Sequence, residues 1–164
     1  MINENRADLI PFLGASAYNN GITGYCTIKD IENTSKTGKG KNHELKYKIF
    51  KGNCITVTNN GSVGCAYFQK NKFTCSHDIT VLYLKNHELT KNIALFLIVQ
   101  IEKVGKLFSY ARKWRPKRMK SSMIMLPVNN DEKPDYEYME KYIQNIKIGN
   151  IENTVKFLEK KYLY

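Results

Sequence analysis

The residues with the most obvious chemical potential are Cys54, Cys65, Cys75 and His77, which fall within a span of 24 residues. Thiolates and imidazoles are zinc ligands, but zinc sites are built from close pairs with two to four residues between ligands. Here only Cys75-Ser76-His77 comes near that spacing. The hairpin expected around Asn60-Gly61 tests the idea further. With a two-residue turn Thr56 faces Cys65, and Cys54 and Cys65 share a face. With a three-residue turn they lie on opposite faces. Three small, buried strand cysteines and no metal is the reading adopted. A second pattern, Pro134-Asp135 followed by Glu159-Lys160-Lys161, has the residue types of a metal-dependent nuclease, whose two acids must converge on one ion from adjacent strands. Both acids sit in helical stretches here, and Asp135 is placed to cap a helix, so a small nuclease is kept only as the alternative. Gly38-Lys39-Gly40-Lys41 lacks P-loop spacing, and no glycine-rich cofactor turn or Asn-Pro-Pro-Tyr motif is present. No catalytic residue and no cofactor is therefore assigned.

The remaining chemistry is that of binding. The chain carries 26 Lys+Arg against 15 Asp+Glu, a net charge of +11 over 164 residues. The excess is local: residues 103–130 hold eight basic side chains and no acidic one, whereas residues 131–164 are close to balance. A general bias towards lysine does not strip the acids from one window, so this stretch reads as a polyanion-facing patch. Within it Arg112, Lys113, Arg115, Lys117, Arg118 and Lys120 are interleaved with Tyr110 and Trp114. Trp114 reads as a core anchor rather than a base-stacking platform. The apolar-free stretch 33–44 and the residues just after it add Lys36, Lys39, Lys41, Lys46 and Lys48. Two Asn-Asn-Gly tips, at 19–21 and 59–61, present amides that can pair with adenine edges, although either tip alone is an ordinary turn. The candidate DNA-binding residues are thus Tyr18, Asn19, Asn20, Lys36, Lys39, Lys41, Asn59, Asn60, Ser62, Arg112, Lys113, Arg115, Lys117 and Arg118. Cations on phosphates with amides on bases is the division of labour a sequence reader needs.

These residues must be positioned by a small number of elements. Asn19-Asn20-Gly21 turns the chain between short strands, the second over Gly24–Ile28. Residues 54–68 read as a hairpin, Cys-Ile-Thr-Val-Thr in and Ser-Val-Gly-Cys-Ala-Tyr-Phe out. Asp78–Leu84 is a third strand, apolar on both faces towards its end and so expected to be central. Thr90 caps a helix to about Phe108 that is apolar all round and hence buried against the sheet. Ser122–Val128 is expected as a last short strand. From Asp135 helical spacing of Tyr136, Met139, Ile143 and Ile146 begins. Gly149 should break it, with a second helix over Ile151–Tyr162. The expected fold is α+β: a mixed or antiparallel β-rich domain over 1–133 with one buried helix, then a helical appendage over 134–164 for docking or dimerisation. No apolar run approaches the roughly 20 residues of a membrane span. Met1–Asp8 is polar and unlike a secretory signal, so the cysteines read as reduced thiols of a cytoplasmic protein.

An ordered set of segments carries a resemblance. Pro11-Phe-Leu-Gly-Ala, Asn19-Asn-Gly-Ile, Gly52-Asn-Cys-Ile-Thr-Val-Thr-Asn-Asn-Gly-Ser-Val-Gly-Cys-Ala-Tyr-Phe-Gln, Phe73-Thr-Cys-Ser-His-Asp, Ala111-Arg-Lys-Trp-Arg-Pro-Lys-Arg-Met and Leu126-Pro-Val…Pro134-Asp-Tyr-Glu-Tyr-Met-Glu-Lys-Tyr-Ile run in order from about residue 11 to 143. Together they resemble the target-recognition domain of restriction-modification specificity (S) subunits, Type I or methyltransferase-associated Type II. The resemblance implies a non-catalytic αβ domain that reads a few base pairs of double-stranded DNA. It also implies a following helix that docks on methyltransferase or restriction subunits, with a homodimer through the C-terminal helices as a further expectation. Full S subunits typically carry two such domains separated by long helices. This chain has one, as expected of a half-subunit, a split gene product or a fragment. Base-reading residues vary between members and are not carried over. The readings that compete with a specificity module are the small nuclease and a general nucleic-acid-binding protein.

Overall fold

The computed structural model describes residues 9–34, 44–109 and 111–162. Lys36, Lys39, Lys41 and Tyr110 lie outside the described residues. The chain folds as α+β. Strand β1 (Ile10–Leu13) is flanked by β2 (Ile22–Cys26), antiparallel, and by β5 (Thr74–Cys75), parallel. A second sheet places β3 (Cys54–Thr58) between β4 (Ala66–Gln69) and β6 (Ile79–Leu82), both antiparallel to it. The helices are α1 (Ile28–Asn33), α2 (Lys91–Gly105), α3 (Pro116–Lys120) and α4 (Tyr136–Tyr162).

The central strand is β3, all five of whose residues are buried, and β6 is an edge strand, contrary to the expectation for Asp78–Leu84. The two-faced apolarity of β6 has another cause. Leu82 packs on the core formed by Ile55, Val57, Ala66, Trp114 and the buried face of α2. Ile79 and Val81 pack on a second core of Leu13, Cys54, Phe73 and Cys75. Two cores, one on each face, produce the same pattern as two flanking strands. The other edge, β4, is closed by side chains: the Ala66 amide donates to Glu102 Oε1 (3.1 Å) and the Phe68 carbonyl accepts from Asn20 Nδ2 (3.3 Å).

Helix α2 matches the sequence reading. Thr90 Oγ1 accepts from the Ile93 amide at 3.1 Å, and Ile93, Ala94, Leu97 and Ile101 are buried. Its C-terminal end can lie on the β3–β4 loop because Gly105 meets Gly64 backbone to backbone: a Cβ on Gly105 would stand 2.7 Å from the Gly64 Cα. Helix α1 was not foreseen. The strand ends at Cys26 and Thr27 then starts a helix through a capping box with Asp30, whose carboxyl is lowered from its ordinary value by the Thr27 hydrogen bonds. Lys48, only 1% exposed, closes the other end by donating to the carbonyls of Ile31, Glu32 and Thr34 at 3.1, 2.9 and 2.8 Å.

Two further expectations are corrected. Residues 122–128 keep a period of two, with Met123 and Met125 outward and Ile124 and Leu126 on the core, but form no strand; among the described residues they make an isolated bridge between Val128 and Pro134. They cover side chains of the core instead of extending a ladder. Gly149 does not break the tail, which is one helix of 27 residues. A glycine weakens a helix by about 1 kcal/mol relative to alanine but does not forbid it. The first half of α4 packs on α2: Met139 is fully buried, Tyr142 meets Phe96 edge-on at 5.7 Å, and Glu140 accepts from Thr90 Oγ1 and from Asn92 Nδ2. The second half, 151–162, is exposed throughout.

Candidate nucleic-acid interface

Three loops meet at one end of the two sheets. The β1–β2 loop (14–21) is tied across its neck by the Gly14 amide to the Gly21 carbonyl at 3.0 Å. It runs through three consecutive left-handed residues, Asn19, Asn20 and Gly21 (φ 50°, 53° and 77°). Asn and Gly tolerate that region best, so the Asn-Asn-Gly signal has a direct conformational cause. The β3–β4 loop (59–65) lies beside the first, and Tyr67 of β4 ties the hairpin to it, its hydroxyl donating to the Ser16 carbonyl at 3.2 Å. Gly61 also sits against it: a Cβ there would stand 3.1 Å from that of Ala15. The β5–β6 loop (76–78) joins both, the Ser76 amide donating to the Leu13 carbonyl and the Asn59 amide to the Asp78 carbonyl at 2.9 and 2.8 Å. The structure thus brings both Asn-Asn-Gly tips into one cluster.

The individual side chains point differently. Tyr18 is 80% exposed, with its backbone pinned at both ends to Ser16 Oγ. Asn19 is exposed, its amide donating to the Ile22 carbonyl. Asn20 donates to Phe68 O and to Gln69 Oε1. Asn59 is buried, donating to the His77 carbonyl and to Thr80 Oγ1. Asn60 donates to Asp78 Oδ1 at 3.0 Å, while its own Oδ1 is buried with no partner among the described residues. Ser62 is half-buried and its carbonyl accepts from Thr58 Oγ1. Much of the amide chemistry at the tips therefore holds the loops together.

Beyond α2 the chain turns into the basic segment. Trp114, 4% exposed, is its anchor: the indole stacks on Phe108 at 5.2 Å and donates to Ser122 Oγ at 2.9 Å. That agrees with the core reading of this residue. Arg112 lies over the other aromatic partner, 5.3 Å from the Phe108 centroid. Pro116 takes the first turn of α3, where its missing N–H costs nothing. Around this anchored framework Arg112, Arg115, Lys117, Arg118 and Lys120 are exposed, and among the described residues none of them is in an ion pair. Lys113 is half-buried and its carbonyl accepts from Arg118 Nη1 at 2.6 Å. By contrast Lys46 is paired with Glu44 and Lys48 is buried in α1's cap, so neither presents a free charge as the sequence suggested.

The structure does not bring together the two acids on which the nuclease alternative rests. Asp135 Oδ1 accepts from the Tyr138 amide at 2.9 Å as a helix cap. Glu159 lies 24 residues further along the same unbroken helix, roughly 36 Å away at 1.5 Å per residue. Two carboxylates so placed in one chain cannot share a metal ion. Among the described residues no group of three or more His, Cys, Asp or Glu could hold one. Burial pushes the Cys54 and Cys75 thiols up to about 12, away from the thiolate that a metal takes. What the sequence reading passed over is Asp78, the one acid in the three loops. Its isolation among uncharged tip residues was the available signal.

The profile of the family described as "Type I restriction modification DNA specificity domain" matches residues 6–156. The chain is 36% identical over 137 residues, 84% of its length, to the "Type II restriction enzyme BgcI specificity subunit S.BcgI" of Heyndrickxia coagulans. It spans about a third (35%) of that relative. No solved structure matches. A family match over nearly the whole chain, and a fold of the expected class, show that this chain belongs to the restriction-modification DNA specificity domains.

Proposed function

We propose that the domain is a sequence-specific duplex DNA-binding module that directs restriction-modification subunits to a target, with no catalysis and no cofactor of its own. The observation that carries this reading is the anchored basic segment 112–120, exposed and, among the described residues, free of carboxylate partners in Arg112, Arg115, Lys117, Arg118 and Lys120. Ion pairs would have to be broken before phosphates could be bound; here the charge is available. Arg112, Lys113, Arg115, Lys117 and Arg118, with Lys36, Lys39 and Lys41, supply phosphate contacts. The loop cluster approaches the bases through Tyr18, Asn19 and Ser62, with Asn20, Asn59 and Asn60 fixing its shape. In this reading methyltransferase or restriction subunits dock on residues 134–164, two copies pair through the exposed half of α4 when the chain is alone, and the protein works in the cytoplasm, where its DNA is. No helix among the described residues is long and apolar enough to cross a membrane.

The test is enrichment from a randomised duplex pool, with single-stranded RNA as competitor and plasmid plus magnesium and S-adenosylmethionine as a parallel incubation. The expected result is one enriched duplex motif, little competition by RNA, and plasmid neither cut nor methylated. Equal binding of RNA and duplex without a motif would favour a general nucleic-acid-binding protein.

A further inference from the structure

The oddest polar feature among the described residues is the Asn60 side chain. Its amide nitrogen donates to Asp78 Oδ1 at 3.0 Å, and that choice leaves Asn60 Oδ1 buried without a partner. An amide could rotate to relieve such an orphan, but rotation would turn the carbonyl oxygen onto a carboxylate. The Asp78 charge therefore dictates the Asn60 orientation, and a buried unsatisfied acceptor is tolerated to keep the carboxylate in place. The Asp78 backbone is clamped as well: its carbonyl accepts from the Asn59 amide at 2.8 Å and its amide donates to Ser76 Oγ at 3.3 Å. No hydrogen bond or ion pair among the described residues reaches Asp78 Oδ2, and the side chain is only half-buried.

A fixed carboxylate is a liability on a surface that meets phosphates, because it repels them. It becomes an asset only when aimed at a donor. In the major groove the exposed donors are the amino groups of cytosine and adenine. Adenine sets its N7 acceptor beside the amino group, whereas cytosine does not, and guanine and thymine present acceptors in that place. Resting on the DNA-binding reading above, we infer that Asp78 is a specificity-determining residue that accepts a hydrogen bond from the amino group of a cytosine in the major groove. Asn60 is its positioning residue. Asparagine at 78 would both donate and accept and would lose the discrimination.

The experiment enriches randomised duplex on the full chain and on D78N in parallel, then measures affinity for the wild-type motif and for a duplex in which one C·G pair is changed to T·A. The expected wild-type motif contains a fixed cytosine whose replacement weakens binding about ten- to a hundredfold. D78N should broaden that position alone, bind both duplexes nearly equally, and keep its affinity for unrelated DNA. D78A should broaden the same position, and N60A should do so in part. If wild type yields a motif and D78N yields the same motif with the same cytosine preference, the inference falls while the DNA-binding reading stands. Uniform weakening at every position would make Asp78 a loop strut and also overturn the inference. No motif from wild type would overturn both readings.

Discussion

At the scale of single residues, the structure separates cations that hold the protein together from cations that face outward. Lys48 is the first kind, satisfied by three carbonyls; Arg115 belongs to the second. If roughly six phosphates are neutralised, log K should fall with log salt at a slope near −5, about −0.9 per contact. Replacing Arg115 and Arg118 by alanine should weaken binding to all duplexes and flatten the slope by up to about 2, measured by fluorescence anisotropy across a salt series. An unchanged slope would turn the segment away from DNA. The thiols give a prediction about the fold alone. Burial holds Cys54 and Cys75 at about 12 instead of the ordinary 9.0. Above pH 9 the unfolded chain releases these protons and the folded chain retains them, so the unfolded state binds fewer and gains. Urea unfolding should therefore show stability constant in this respect below pH 9 and falling as pH rises from 9 towards 12. Cys54→Ala/Cys75→Ala should reduce that fall, with a remainder from Cys26, Cys65, Tyr67 and Tyr83, which burial also raises.

At the scale of elements, helix α4 offers the sharpest test, because Gly149 lies inside it with open space where a side chain would go. Gly149→Ala should raise helicity in circular dichroism and stabilise the distal half by about 1 kcal/mol. A fall in helicity would mean the helix breaks there. What the sequence revealed and concealed follows from the kind of signal each element carries. Helix α2 was legible to its cap because Thr90 and an all-round apolar surface are local properties. The first Asn-Asn-Gly turn was legible because left-handed backbone selects all three of its residues, and the second through Gly61. Strand β6 and residues 122–128 were misplaced because alternation reports which face is covered, not what covers it. The same limit governs the site: Asn20, Asn59 and Asn60 display amides, but a sequence does not say that Gln69, Thr80 and Asp78 receive them.

At the scale of the whole molecule, the chain covers 35% of its curated relative, and the question is what sits on the exposed half of α4. Ile151, Val155, Phe157, Leu158 and Tyr162 are all at least 46% exposed, whereas the proximal half already packs on α2. Light scattering should find the full chain dimeric at micromolar concentration and a version ending at Gly149 monomeric. That version should keep its fold, because residues 151–162 bury nothing against their own domain. Monomers in both cases, with no partner retained, would reduce the distal helix to a passive extension. A dimer would present two reading surfaces and favour a site with two-fold symmetry.

The closure of β4 bears on how copies of this chain can meet at all. An open sheet edge is a template: any extended segment can add to it, and identical chains then stack without limit. Glu102 and Asn20 occupy an amide and a carbonyl that such an intruder would need. Association through β4 is thus discouraged, and the opposite edge of the sheet is β6. Glu102 lies on α2, so the guard is as durable as the core itself. The Ala66 amide should be freed only when α2 lifts from the sheet, so partial unfolding, not crowding of the native state, is what would open this edge.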